Sequence, residues 1–361
     1  YSDAKKGIFL SSGTDSSILA SVCSQNSKEK ILSFTVAFKG YSSDESEEVL
    51  KNANYLNLDS HIINFEPKEV LSFIDKMFDF FDEPFSDPAS LPLLAMSKEY
   101  KKLATVTITG DGGDELFLGY KQYRYLLLLD IIYFIPYPAR KILSKLVNFF
   151  SLNNSIKIKR ICSIIEQRNR TDCSLVFFTN FGLLNNNIYN FLAKRNIYDK
   201  LKIIPSIVNK FSFLHSTVWL SENNNVKIDR SSMAFGLELR SPFLDYRLHE
   251  YFSILPLINF FPLGSKKLLK KLFKHELSQL DIPKDKKGFS PPIFEYAIKG
   301  IKNNFINNLI EIDYKNIPGV NIKKLEQELD MFNNKLFDNV DFDFIWRNYC
   351  YFNWYVKNFK K

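Results

Sequence analysis

Phe9-Leu10-Ser11-Ser12-Gly13-Thr14-Asp15-Ser16-Ser17 is an apolar strand end that runs through hydroxyls and one glycine into a helix. Backbone N–H groups at such a turn, supplemented by hydroxyls, wrap anionic oxygens, and Gly13 admits a conformation or an approach that a β-carbon would hinder. Asp15 makes little sense against bare phosphate but good sense beside a magnesium ion. The turn is not a Walker A sequence, because no lysine follows the glycine, and it is not GxGxxG. Standing alone, it reads equally well as an ordinary Ser/Thr-capped helix start.

Outward from this turn, short apolar runs alternate with longer amphipathic ones over the first 120 residues, the pattern of βαβ units around a parallel sheet. The spacing predicts strands over Lys6–Leu10, Ile31–Ala37, His61–Phe65 and Thr105–Thr109, and helices over Asp15–Gln25, Glu45–Leu56, Glu66–Phe80 and Pro88–Lys102. Asp87 caps the last of these, with Pro88 in its first turn. Beyond about residue 121 strand signals fade. The expected fold class is therefore α/β, with a parallel-sheet nucleotide-binding lobe over residues 1–125 and a mostly helical lobe over 126–361. The Asn185–Asn187 and Asn223–Asn225 runs read as surface loops.

A second turn repeats the theme with acid. Val106-Thr107-Ile108-Thr109-Gly110-Asp111-Gly112-Gly113-Asp114-Glu115 is a β-branched strand ending in a glycine-rich loop that leads into a helix. Carboxylates this close repel one another, and holding them together calls for a cation or for chemistry that exploits the repulsion. The spacing fits neither an EF-hand nor an RTX repeat, and a plain helix cap explains Asp114 and Glu115 but not the glycines. Ligands of an open parallel sheet bind beyond the carboxyl ends of its strands, where the strand order reverses. If the first and fourth strands are neighbours, Asp15 and Asp114 share one magnesium ion while the hydroxyl loop holds phosphates.

Composition excludes other classes. With 361 residues, 45% hydrophobic and 24% charged, the chain is neither a disordered tail nor a disulfide-stapled module. Its net charge of +8 suits anionic ligands without choosing among them. Cys23, Cys162, Cys173 and Cys350 form no CxxC pair, which points to a reducing cytoplasm. The apolar stretch Tyr125–Ile135 is too short to span a membrane and reads as a buried helix. His61, His215, His249 and His275 lack metal spacing and read as structural.

The first turn resembles the SGGxDS pyrophosphate loop of N-type ATP pyrophosphatases. Thr109-Gly110-Asp111-Gly112-Gly113-Asp114-Glu115-Leu116-Phe117 narrows the resemblance to the glutamine-dependent asparagine synthetases. Ser33–Phe38, Asp82-Glu83-Pro84, Asp229–Met233, Glu238–Asp245 and Lys286–Phe289 follow in family order. The resemblance implies an adenine nucleotide alpha hydrolase-like fold and a two-step amide synthesis through β-aspartyl-AMP. Ser11, Ser12, Gly13, Asp15 and Ser16 would bind pyrophosphate, Leu10, Val36, Thr109 and Gly110 the nucleoside of ATP, and Asp15 and Asp114 Mg²⁺. Asp111 and Lys286 would be catalytic, the lysine neutralising charge at the α-phosphoryl group. The Asp229–Asp245 segment would support the site through internal ion pairs, with Asp229 and Arg240 as structural members.

The implied partners are aspartate and ammonia, the ammonia released from glutamine by an N-terminal glutaminase domain that this chain does not include. A homodimer is one option for an assembly that the sequence leaves open, and neither a membrane nor nucleic acid is expected as a partner. Departures from the family pattern are Ser12 for glycine, Thr109 for serine, Leu118 for the glycine that often follows phenylalanine, and Lys284 for arginine. Competing readings are an amide ligase acting on another carboxylate (a polysaccharide precursor, a peptide macrolactam or a β-lactam), a tRNA-modifying ATP pyrophosphatase, and a scaffold that binds nucleotide without turnover.

Overall fold

Five short strands form one parallel sheet: β1 (Lys6–Phe9), β2 (Leu32–Ala37), β3 (Asp59–Asn64), β4 (Val106–Ile108) and β5 (Glu238–Arg240), in the order β3-β2-β1-β4-β5. In this computed structural model the described residues are 5–150, 156–180, 192, 195–283, 291–298, 312, 314–337 and 340–360. The chain folds as two compact units, and neither is one continuous stretch. The first is Tyr1–Gly110, Asn225–Pro242 and His275–Lys361; the second is Asp111–Asn224 and Phe243–Lys274. A single cut after residue 125, the expectation from sequence, is a simpler division than this one.

The first unit holds the sheet. Helices α1 (Thr14–Gln25), α2 (Ser46–Tyr55), α3 (Pro67–Phe80) and α4 (Ser90–Tyr100) connect its first four strands, as parallel neighbours require. β2 is buried along its length because it is an interior strand, and its Phe34 ring stacks on Tyr100 at 4.1 Å. The Tyr100 hydroxyl accepts from the Thr35 N–H at 3.2 Å and lies 2.9 Å from the His61 carbonyl, stitching β2 and β3 to α4. Ile74, Met77, Leu91 and Leu94 continue this core, and the helix Phe342–Phe359 adds Ile345, Tyr349 and Phe352 to it. Asp87 accepts from the Ala89 N–H at 3.0 Å in the turn ahead of α4, but the helix itself begins two residues later than expected, with Ala89 at its N-cap and no side-chain cap. The second Asp87 carboxylate oxygen takes Lys227 Nζ at 3.0 Å.

β5 is a correction to the sequence expectation that strands end near residue 121. Glu238-Leu239-Arg240 returns to pair with β4, with Leu239 opposite Thr107. Three residues with charged, exposed ends show no period to read. Of the ion pairs expected within the Asp229–Asp245 segment, one joins Arg240 to Glu238, while Arg230 pairs outside it. Arg230 pairs with Asp82 and Arg240 with Glu238 at the surface, where exposed pairs contribute little.

The second unit is helical. Asp130, on α6 (Gln122–Ile132), accepts from the Ile207 and Val208 N–H groups at 2.8 and 3.2 Å and so caps the helix Ile207–Leu214. Arg140, on α7 (Tyr137–Phe150), is buried and donates to the carbonyls of Ile135, Ile165 and Gln167. This pins α7 with Arg140 and Ser144 inward. Leu128, Ile131 and Phe134 are more than half exposed, so the stretch expected to be a buried helix is only half buried. No described helix is long and apolar enough to cross a membrane.

Asn223 and Asn224 close a π-helical run, His215–Asn224, and Asn225 opens the helix Asn225–Met233. The expected surface loop at this asparagine run is thus helical. The run Asn185–Asn187 lies outside the described residues. All four cysteines are free thiols, and burial pushes Cys173 up to about 12, which makes it a poor nucleophile.

Candidate active site

In the first unit β1 and β4 are parallel neighbours, with Ile8 opposite Ile108, as the sequence argument required. The strand order runs outward from β1 to β2 and β3 on one side and to β4 on the other, so the reversal lies between β1 and β4. Gly110 follows β4 so closely to the first turn that a β-carbon there would stand 3.0 Å from Asp15 Cβ and 3.2 Å from the Ser16 nitrogen. A side chain at this position would have to displace the first turn by a few tenths of an ångström.

The first turn is held by its own hydroxyls. Ser16 Oγ accepts from the Ser11 N–H at 3.2 Å and lies 2.9 Å from Ser11 Oγ, which in turn accepts from the Gly13 N–H at 3.2 Å. Gly13 has φ −69° and ψ 151°, an extended conformation open to any residue. Its value is therefore close approach, since a β-carbon would meet Ser11 Oγ at 3.1 Å. Ser12 is buried, and its N–H donates at 3.1 Å to Glu45 Oε2, a carboxylate from the residue that precedes α2. An anionic oxygen at a loop N–H is the contact that a phosphate would make. Glu45 was not legible as a site residue because its partner lies 33 residues away.

Leu10 and Val36, the expected nucleoside contacts, are both buried. Leu10 is fixed by its N–H to the Phe34 carbonyl at 2.9 Å, and its own carbonyl accepts from Thr35 Oγ1 at 2.8 Å. Thr109 donates its N–H to the Arg240 carbonyl at 2.9 Å, so β5 steadies the end of β4. Asp229 sits in the helix Asn225–Met233. Lys286 lies outside the described residues.

In the second unit the acidic loop turns at Gly112, whose φ of +84° suits glycine and whose β-carbon would strike Leu244 Cδ2 at 2.6 Å. The helix α5 (Gly113–Leu116) follows. Each of the three carboxylates has its own donor. Asp111 Oδ1 accepts from Asn224 Nδ2 at 3.2 Å, Asp114 Oδ1 pairs with Lys266 Nζ at 2.9 Å, and Glu115 Oε1 accepts from the Tyr120 hydroxyl at 2.6 Å. An amide, an ammonium and a phenol thus face the three carboxylates, whose closeness the sequence tied to a cation or to chemistry that exploits their repulsion. Burial and the Glu115 carboxylate raise the Tyr120 phenol far above its ordinary value, so it stays a donor.

His215 bears out its structural reading. It is buried beside Tyr120 and Phe211, and burial pushes it down to about 4, which leaves it neutral at ordinary pH. Leu118, where the family pattern often has glycine, adopts φ +48° while buried, which accounts for the glycine preference. Neither Asn224 nor Lys266 was legible in advance, because their partnerships join distant parts of the chain and carry no local signal.

No described group of three His, Cys, Asp or Glu residues is arranged to hold a metal. The donors on the two loops are hydroxyl and carboxylate oxygens, and hard oxygen ligands of this kind are what magnesium takes, usually one or two carboxylates together with substrate phosphates.

Known proteins bear on these loops directly. The chain is 28% identical over 316 residues to asparagine synthetase [glutamine-hydrolyzing] 1 of Bacillus subtilis, covering 86% of this chain and 50% of that protein. It is 30% identical over 170 residues to the putative asparagine synthetase [glutamine-hydrolyzing] 2 of Methanocaldococcus jannaschii, covering 44% and 33% respectively. A putative asparagine synthetase [glutamine-hydrolyzing] of Mycobacterium tuberculosis is 26% identical over 263 residues, covering 70% and 40%. The chain spans half the length of the Bacillus relative and less of the other two. The family description Asparagine synthase matches residues 1–340, a span that takes in the hydroxyl turn, the acidic loop and every later motif in order. By that match the chain belongs to the asparagine synthase family.

Proposed function

We propose that the chain performs the synthetase chemistry of asparagine formation. An oxygen of the aspartate β-carboxylate bonds to the α-phosphorus of ATP as the bond to pyrophosphate breaks, giving β-aspartyl-AMP. Ammonia then bonds to the acyl carbon, loses a proton and expels AMP. The observation that carries this reading is the hydroxyl turn at the β1–β4 reversal, whose Ser12 N–H already holds a carboxylate oxygen.

In this reading Ser11, Ser12, Gly13, Asp15 and Ser16 hold the departing pyrophosphate, and Leu10, Val36, Thr109 and Gly110 hold the nucleoside. Asp111 orients the acyl group or takes the proton lost by the attacking ammonia. Lys286 opposes the charge that develops at the α-phosphorus. Asp15 and Asp114 would hold Mg²⁺, which when bound neutralises polyphosphate charge. Arg240, through its carbonyl on Thr109, and Asp229 give support. Ammonia would come from glutamine hydrolysed by an N-terminal glutaminase domain of the whole protein, in the cytoplasm, with a homodimer as the assembly.

The test is pyrophosphate release by the chain with ATP and magnesium, offered aspartate, other carboxylates or tRNA. Release with aspartate, and asparagine when ammonium is added, is the expected result. Release stimulated by tRNA alone would overturn the assignment, and preference for another carboxylate would move the chain to a related amide ligase.

A further inference from the structure

The π-helical run His215–Asn224 reaches the acidic loop at both of its ends. At its start, the buried His215 ring lies edge-on to Tyr120, with centroids 5.0 Å apart, and the Tyr120 hydroxyl holds Glu115. At its end, Asn224 Nδ2 donates to Asp111 Oδ1. A π-helix is rare and appears mostly as single turns inside α-helices, frequently at functional sites. Ten residues of it is long by that measure. An amide is also a particular choice beside a carboxylate, because it supplies a donor without supplying a charge.

We propose that Asn224 is a positioning residue, delivered by this π-helical run, which fixes the orientation of the Asp111 carboxylate by donating to one of its oxygens. The inference rests on the assignment of Asp111 to the amide-forming chemistry and deepens it. The close packing of Gly110 and of Gly112 places the Asp111 backbone but does not set the rotation of its carboxylate. The restraint comes from a side chain 113 residues away. Misplacement of a reacting group by about 1 Å costs on the order of 100-fold in rate.

The experiment compares Asn224→Ala, Asn224→Asp and Asp111→Asn in the chain with ammonium as nitrogen donor, measuring kcat, KM for ATP and thermal midpoint for each. Aspartate at 224 keeps the shape of asparagine but removes the donor and adds a negative charge. The expected result is that Asn224→Asp loses more kcat than Asn224→Ala, with losses of about 10- to 100-fold and KM for ATP within about twofold of the parent. A space-filling role would give the reverse order, with alanine the worse, and would overturn the proposal. So would near-parental kcat in both Asn224 variants while Asp111→Asn is inactive, a result that leaves the Asp111 assignment standing. Full activity in Asp111→Asn would overturn that assignment and this inference with it.

Discussion

Replacing Asp111 with asparagine is expected to lower the proposed asparagine formation by about 10²- to 10⁴-fold, the range for removal of a positioned proton-transfer group. The substitution is isosteric, and Asn224 Nδ2 can still donate to the new amide oxygen, so the loop geometry is retained. What disappears is the negative charge and the capacity to take a proton. Because Asp111 is assigned to the acyl group and not to the polyphosphate, KM for ATP stays within about twofold. Steady-state kinetics with ammonium and saturating aspartate read both quantities. A variant that retains more than half of the parental kcat would remove Asp111 from the chemistry.

The second large effect is on stability. Lys266 and Asp114 form an ion pair 2.9 Å long, with side chains only 7% and 13% exposed. Burying two charges is costly, so such a pair adds little net stability over an apolar pair of the same shape. Removing one member alone is a different matter, because the other charge stays buried. Lys266→Met is therefore expected to destabilise the second unit by about 3–5 kcal/mol. Adding Asp114→Asn to that variant should recover a good part of the loss, since no uncompensated charge remains. Trp219 lies in the second unit, whereas Trp346 and Trp354 lie in the first. Urea unfolding of a chain that keeps only Trp219 reports on this unit. A loss below about 1 kcal/mol for Lys266→Met, or a double variant weaker than the single, would contradict the account.

Sequence carried the first 110 residues well. The four predicted strands lie within a residue or two of β1–β4, and the helices between them likewise, because glycine and proline punctuate the periods there. The neighbouring placement of β1 and β4, which the sequence reading took as a condition, is met in the sheet. Other features failed for stated physical reasons. β5 is three residues long and takes its identity from its partner strand. Asn223–Asn225 is helical against local propensity because it joins two helical runs, His215–Asn224 and Asn225–Met233. Tyr125–Ile135 is as apolar as a buried helix, but the inward turn of Arg140 and Asp130 leaves its apolar side half in water.

The candidate site divides in the same way. Residue types and spacing identified the hydroxyl turn and the acidic loop, since both signals are local. The partners that set their geometry, Glu45 for Ser12, Asn224 for Asp111 and Lys266 for Asp114, come from other parts of the chain. Their hydrogen bonds arise from tertiary packing and leave no trace in composition or period.

Oxygen transfer from aspartate tests the central claim most directly. With both oxygens of the aspartate β-carboxylate labelled as ¹⁸O, attack on the α-phosphorus leaves one labelled oxygen on AMP once ammonia displaces it. Mass spectrometry of the nucleotide product should show AMP carrying a single ¹⁸O, formed in step with asparagine and unlabelled pyrophosphate. Unlabelled AMP, or ADP with labelled inorganic phosphate, would mean that the carboxylate is not adenylated by this chain.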